Sequence, residues 1–162
     1  FSEEWTEASE LLAAMPKRLQ QSLKKNELIF HPPDQSYELL LDKMMTEQVI
    51  QNLIDNAVKY SPAETDIHIS YGPANEGFEF HIRDCGPGIP EEKFDAIFDK
   101  YERLNRSDSQ VAGTGLGLAI SKAVMEGQGG TIKVGNHPDG GAQFTLHFPQ
   151  FRPFPSERGS LS

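Results

Sequence analysis

Two pairs of alternating segments constrain the fold of this chain more than any other feature. In "TDIHISYG" (65–72) and "GFEFHIRD" (77–84) apolar and polar residues alternate, with the turn-rich "GPANEG" between them. "GTIKVGN" (130–136) and "AQFTLHF" (142–148) repeat the arrangement around "HPDGG". Alternation with period two marks a strand with one buried face, and so short a connection joins antiparallel neighbours. The pairs argue for helices laid over one face of a mixed, mostly antiparallel sheet, an α/β (α+β) two-layer sandwich. They argue against a doubly wound parallel fold, whose strands need long crossovers.

The remaining segments fit that frame. "NELIFHPP" reads as a short strand stopped by Pro32 and Pro33, and "YELLLDK" as another, ended by Asp42, whose three leucines imply burial on both faces. From Thr46 to Tyr60, Val49, Ile50, Leu53, Ile54, Ala57 and Val58 form one apolar helical stripe, and Ser61–Pro62 stops the helix. "EEKFDAIFDKYERL" reads as a short helix and its continuation, "NRSDSQVAGTG" as a mobile loop, and "LGLAISKAVMEGQ" as a helix ended by Gly129 and Gly130. Near the start, Leu11, Leu12, Met15, Leu19 and Leu23 have helical spacing, with Ser9 as a cap and Pro16 as an interruption. The expected organisation is one domain over 1–149, with a lead-in helix region at 1–25, and a frayed tail at 150–162.

The net charge of −9 and the lack of clustered Lys and Arg argue against nucleic acid as a partner. An acidic domain that takes an anionic ligand must use backbone N–H groups, a few basic side chains or a metal ion. One cysteine, Cys85, rules out an intrachain disulfide and fits a reducing compartment. No apolar run is long enough to span a bilayer. "FSEEW" lacks the features of a signal peptide, so the chain reads as a piece of a longer protein.

Three segments carry chemistry. "GTGLGLAI" sets Gly113, Gly115 and Gly117 at alternate positions running into a helix, where backbone can approach a ligand and free N–H groups favour phosphate. Its spacing is neither a dinucleotide fingerprint nor a Walker loop; taken alone, it also suits a flexible helix entry. "DCGPGIP" puts Asp84 at the end of a strand, on the face of Phe78, Phe80 and Ile82. A carboxylate there needs a donor, which an adenine amino group or a turn N–H can supply. "QNLIDNAVKYSP" sets Asn52 and Asn56 one helical turn apart on one side, followed by Lys59 and Tyr60. Amide oxygens suit a hard cation such as Mg²⁺, and they equally suit a buried polar network.

In this order and spacing the segments resemble the nucleotide-binding boxes of the histidine protein kinases. "QNLIDNAVKYSP" resembles the N box, "DCGPGIP" the first glycine box, "FDAIFDKYERL" the phenylalanine box and "GTGLGLAI" the second glycine box. The resemblance covers roughly residues 40–148 and implies the fold shared with gyrase, heat-shock-chaperone and mismatch-repair ATPases, with ATP beneath a mobile lid. By position it implies that Asn56 holds magnesium, with Asn52 beside it near the phosphates. Asp84 accepts the adenine amino group, and Gly86 and Gly88 shape its pocket beside Ile89. Lys59 and Arg103 face the phosphates and Tyr60 covers the base. Gly113, Thr114, Gly115, Leu116, Gly117 and Leu118 belong to the lid and its closure, rooted on Phe94 and Phe98.

The resemblance also bears on the reaction. Asn52 stands where related ATPases carry a glutamate that activates water, and an amide cannot take that proton. Glu47 lies five residues earlier, outside that place. The expected activity is therefore transfer of the γ-phosphoryl group of ATP to a histidine, with slow hydrolysis. None of His31, His68, His81, His137 and His147 precedes an acidic residue, so the accepting histidine and its dimerisation helices are expected before Phe1. His68 and His81 read as outward-facing strand residues. A response regulator is the indirect partner, and the domain alone is expected to be a monomer on the cytoplasmic side of a membrane-bound sensor. "SEEWTEASELLAAMPKRL" resembles what precedes this domain in potassium-sensing kinases. The alternatives are a hydrolytic ATPase of the same fold, a serine-kinase anti-sigma factor and a non-catalytic nucleotide sensor.

Overall fold

In the computed structural model, residues 1–23, 25–62, 64–99 and 114–155 are described. The two hairpins form as their alternation predicts. β4 (Ile67–Ala74) pairs antiparallel with β5 (Gly77–Arg83), and β6 (Thr131–Asn136) with β7 (Ala142–Phe148). The pairing of β5 with β7 joins the two hairpins. β2 (Leu28–His31) adds to the outside of β4 as the parallel member, giving a five-stranded sheet in the order β2-β4-β5-β7-β6.

Register places the apolar residues in continuous rows. Ile69 faces Ile82, Ile82 faces Phe144 and Phe144 faces Val134; in the next row Tyr71 meets Phe80, Leu146 and Ile132 in turn. Onto this face packs α3 (Lys43–Tyr60), whose stripe of Val49, Ile50, Leu53, Ile54, Ala57 and Val58 is buried throughout. Its start is sharper than the sequence suggests. Asp42 does not merely end the preceding strand: its side chain caps the helix by accepting from Met45 N at 3.0 Å, and it also accepts from Ser2 N. These N–H bonds hold the Asp42 carboxyl below its ordinary pKa. α4 (Thr114–Gly127) lies alongside, tied to the start of α3 by Gln128, which accepts from Asp42 N and donates to Thr46 Oγ1. Among the described residues no helix is long and apolar enough to cross a membrane.

The polar face of the sheet carries His68 and His81, as expected, and also a buried carboxylate. Glu79 lies between His81 and His147, which contact it at 3.4 and 2.8 Å. Burial lowers the pKa of His81 despite this neighbour.

Both ends of the chain differ from expectation. The lead-in helix is two short ones, α1 (Glu10–Ala13) and α2 (Met15–Arg18), because Pro16 has no N–H for a continuous helix and sits in the first turn of the second. Ser9 does not cap; its hydroxyl bonds Glu7 instead. The apolar spacing is nonetheless used, since Leu11, Leu12, Met15 and Leu19 are buried. The acidic opening contains a strand, β1 (Glu4–Glu7), and the segment expected to fray contains another, β8 (Phe151–Pro153). Both pair antiparallel with β3 (Tyr37–Leu41) in a separate three-stranded sheet. β3 is buried on both faces at Glu38, Leu39 and Leu41.

Arg152 holds this small sheet together. It pairs with the buried Glu38, and its guanidinium stacks 3.8 Å over the Trp5 ring. Removing it leaves Glu38 buried without its partner. Arg152→Ala is expected to lower unfolding stability by about 1–2 kcal/mol, and truncation after Gln150 by at least as much, measured by denaturant titration.

Candidate nucleotide site

Asp84 follows β5 directly, on the inward face, and is 5 % exposed. Its Oδ1 accepts from Gly86 N at 2.8 Å and from Ala142 N at 3.0 Å, while its own N–H donates to the Ala142 carbonyl. Among the described residues no donor is bonded to Oδ2. Burial pushes the carboxyl above its ordinary pKa, and the two backbone N–H groups and Arg83 oppose that only in part. The carboxylate therefore retains an acceptor with no protein donor among the described residues. The close packing on its other side requires Gly141. A Cβ there would fall 1.9 Å from the Asp84 carbonyl, and the backbone has φ +88°.

A cavity of about 190 Å³ opens beside this carboxylate. Asn56 and Tyr60 of α3 form one wall, Pro87, Gly88 and Ile89 of the glycine loop another, and Leu118 of α4 closes a third side. Asn56 is 5 % exposed, so a polar amide is buried in a lining that is mostly apolar. A planar heterocycle with an exocyclic amino group suits this combination of apolar walls and one acceptor.

Of the residues singled out from sequence, Asn56, Tyr60, Asp84, Gly88, Ile89 and Leu118 meet at this cavity. Gly86 does not line it. It rests on the last turn of α3, where a Cβ would stand 2.5 Å from the Tyr60 carbonyl. Phe98, in a single 3₁₀ turn (Ala96–Phe98), supports the cavity from behind through an edge-on contact with Phe144, and Lys122 lies over its ring. Phe94 ends the preceding 3₁₀ turn, Glu91–Lys93. Lys59 is exposed on α3, outside the cavity lining.

The asparagine pair divides. Asn52 does not line the cavity of Asn56 but a neighbouring groove between α3 and α4. Its Nδ2 donates to the buried Ser121 hydroxyl at 3.0 Å, and Gly117 packs so closely that a Cβ would stand 2.6 Å from the amide. Glu47 points away from both, to Arg18 at 3.2 Å. Thr114, Gly115 and Leu116 open α4, but their side chains, like Gly113 and Arg103, lie outside the described residues. Among the described residues no group of three or more His, Cys, Asp or Glu is placed to hold a metal.

Sequence reading missed Pro87, Pro90, Lys93, Ile97, Ala142 and Phe144 in the lining. It also missed Asn136, which bonds both backbone groups of Ile89. Ala142 and Phe144 were visible only as inward residues of a strand. Nothing local relates Asn136 to a loop 47 residues earlier. Cys85, half-buried, is occupied as well: its thiol donates to the Asp66 carbonyl.

Known proteins match this architecture. A family model described as histidine kinase-, DNA gyrase B-, and HSP90-like ATPase matches residues 41–152. The sensor protein KdpD of Escherichia coli (strain K12) is 36% identical over 150 residues, covering 93% of this chain and 17% of that protein. This chain thus spans about a sixth of that relative's length. The solved mycobacterial sensor histidine kinase MprB superposes with a TM-score of 0.79 at 25% identity, over 94% of this chain and 100% of that one. Full-length ShkA, solved in complex with AMPPNP, shares the fold with a TM-score of 0.81 at 24% identity, over 96% of this chain and 33% of that one. The chain belongs to the histidine kinase-, DNA gyrase B-, and HSP90-like ATPase family, and its relatives are sensor histidine kinases.

Proposed function

We propose that the chain is the catalytic domain of a two-component sensor kinase, binding ATP with Mg²⁺ and passing the γ-phosphoryl group to a histidine on a dimerisation domain of the same parent. The observation that carries this reading is the buried Asp84, whose Oδ2 has no bonded donor among the described residues, in the lining of a largely apolar cavity. An adenine amino group donates to Oδ2, while Tyr60, Ile89 and Leu118 supply apolar contact to the base. Selectivity follows from the acceptor: a base with a carbonyl at that position meets carboxylate oxygen with oxygen.

The buried Asn56 is the residue proposed to hold a magnesium ion, through its side-chain oxygen. Such an ion would supply positive charge to offset the phosphates during transfer. Lys59 and Arg103 are proposed to face the phosphates. Asn52, committed to Ser121, joins α4 to α3 and has no group that could deprotonate a water. That supports transfer over hydrolysis. The proposed setting is the cytoplasmic side of a sensor whose phosphoryl group passes on to a response regulator.

Two substitutions test this reading. Asn56→Ala is expected to remove the Mg²⁺-dependent part of ATP affinity in calorimetric titration, and to slow transfer to the parent's dimerisation domain by about 100-fold or more. Normal transfer by that variant would overturn the metal assignment. Asp84→Asn keeps an oxygen for Gly86 N and Ala142 N but aims an NH₂ at the base. Nucleotide affinity should fall about 10- to 100-fold while the melting temperature stays level or rises, because a buried charge is removed.

The pH dependence has a definite sign. The folded-state pKa of Asp84 is raised above 3.8, so the folded form binds its proton more tightly than the unfolded chain does. As pH rises from 3.8 through the folded value, the cost of the buried charge appears and stability falls. Nucleotide binding needs the carboxylate, so affinity should weaken on acidification before an ordinary aspartate would protonate. A pH titration of ATP affinity against Asp84→Asn reads this directly: the weakening should be absent from the variant.

A further inference from the structure

The glycine loop is pinned at both ends by one hairpin. At its start, Ala142 N holds Asp84 Oδ1 at 3.0 Å. At its end, Asn136 Oδ1 accepts from Ile89 N and Asn136 Nδ2 donates to the Ile89 carbonyl, both at 2.8 Å. Asn136 and Ala142 are cross-strand partners at the last position of the β6–β7 ladder. That single pair therefore reaches the two ends of the 84–89 segment. The amide of Asn136 acts toward Ile89 as a strand neighbour does, satisfying the N–H and the C=O of one residue together. It also constrains the residue before. Gly88 has φ +85°, and a Cβ there would lie 2.7 Å from Asn136 Oδ1.

We propose that Asn136 is a positioning residue that determines base specificity at this site, by fixing the Gly88–Ile89 wall at a set distance from the Asp84 carboxylate. The inference rests on the nucleotide reading above. Asn136 does not line the cavity, so it touches no base and acts through Ile89 and Gly88. With the amide removed, water satisfies the exposed backbone groups of Ile89 and the loop samples wider positions. The base then loses its fixed relation to Oδ2, while the phosphate end, built on α3 and α4, does not change. Discrimination should therefore suffer along with affinity, which general destabilisation does not produce.

The test uses the 162-residue chain and calorimetric titration with ATP and with GTP in the presence of Mg²⁺. Asn136→Ala is expected to bind ATP about five- to tenfold more weakly, with GTP affinity unchanged, so that the ATP/GTP preference narrows by the same factor. The melting temperature should stay close to that of the unaltered chain, and amide exchange at Ile89 should accelerate. Asn136→Asp, which keeps the acceptor for Ile89 N and loses the donor, should fall between the two. Lys133→Ala, exposed on the same strand, should change neither affinity nor preference. If Asn136→Ala keeps both ATP affinity and the ATP/GTP ratio, the inference is overturned and the nucleotide reading stands. An unaltered chain that binds neither nucleotide overturns both.

Discussion

A carboxylate buried at the end of a strand is costly unless donors surround it, and the site is organised around that cost at Asp84. Two backbone N–H groups, from Gly86 and Ala142, meet one oxygen. To deliver them, the chain turns back over the last turn of α3, close enough that Gly86 admits no side chain. The β6–β7 hairpin must also end where Gly141 lies against the Asp84 carbonyl. Among the described residues no donor is bonded to the second oxygen. Desolvation raises the pKa of this group, and in the proposed reading it is the same feature that makes the acceptor selective.

α3 serves two surfaces at once. Its apolar stripe builds the core against the five-stranded sheet, and its edges carry polar groups into two different spaces. Asn56 enters the cavity, while Asn52, one turn earlier, is taken up by Ser121 and by the close approach of Gly117. A helix advances 100° per residue, so two positions four apart differ by about 40° in direction. Where a second helix packs alongside, that offset separates an amide that lines the cavity from an interhelical one. Asn52, which the resemblance sets where related ATPases carry a glutamate, is here a structural link between α3 and α4.

Much of this was legible before any fold was known. The hairpins, the stripe of α3, the inward placement of Asp84 and the family boxes are local patterns, each repeated over several residues. Less legible was the three-stranded sheet. β1 and β8 have four and three residues, too few for a period, and each is a strand only because β3 offers its edge. The lead-in helix was misread in the other direction, since its apolar spacing was sound but Pro16 divided it. Asn136 had no signature at all, because its partner is distant in sequence and a single exposed asparagine ending a strand reads as a turn residue.

The sequence by itself determined which faces are buried, because alternation with period two and the stripe of a helix are properties of neighbours along the chain. It also determined the types of group the site can use: an amide pair, a carboxylate after a strand, and glycines at each close approach. Tertiary structure decided how those groups are shared out. Only the packing of α4 against α3 drew Asn52 away from Asn56. The β6–β7 hairpin, brought beside β5, then bonded one oxygen of Asp84 and placed Asn136 against Ile89. These are contacts between segments far apart in sequence, fixed by the register of strands and the packing of helices, and no local pattern encodes them.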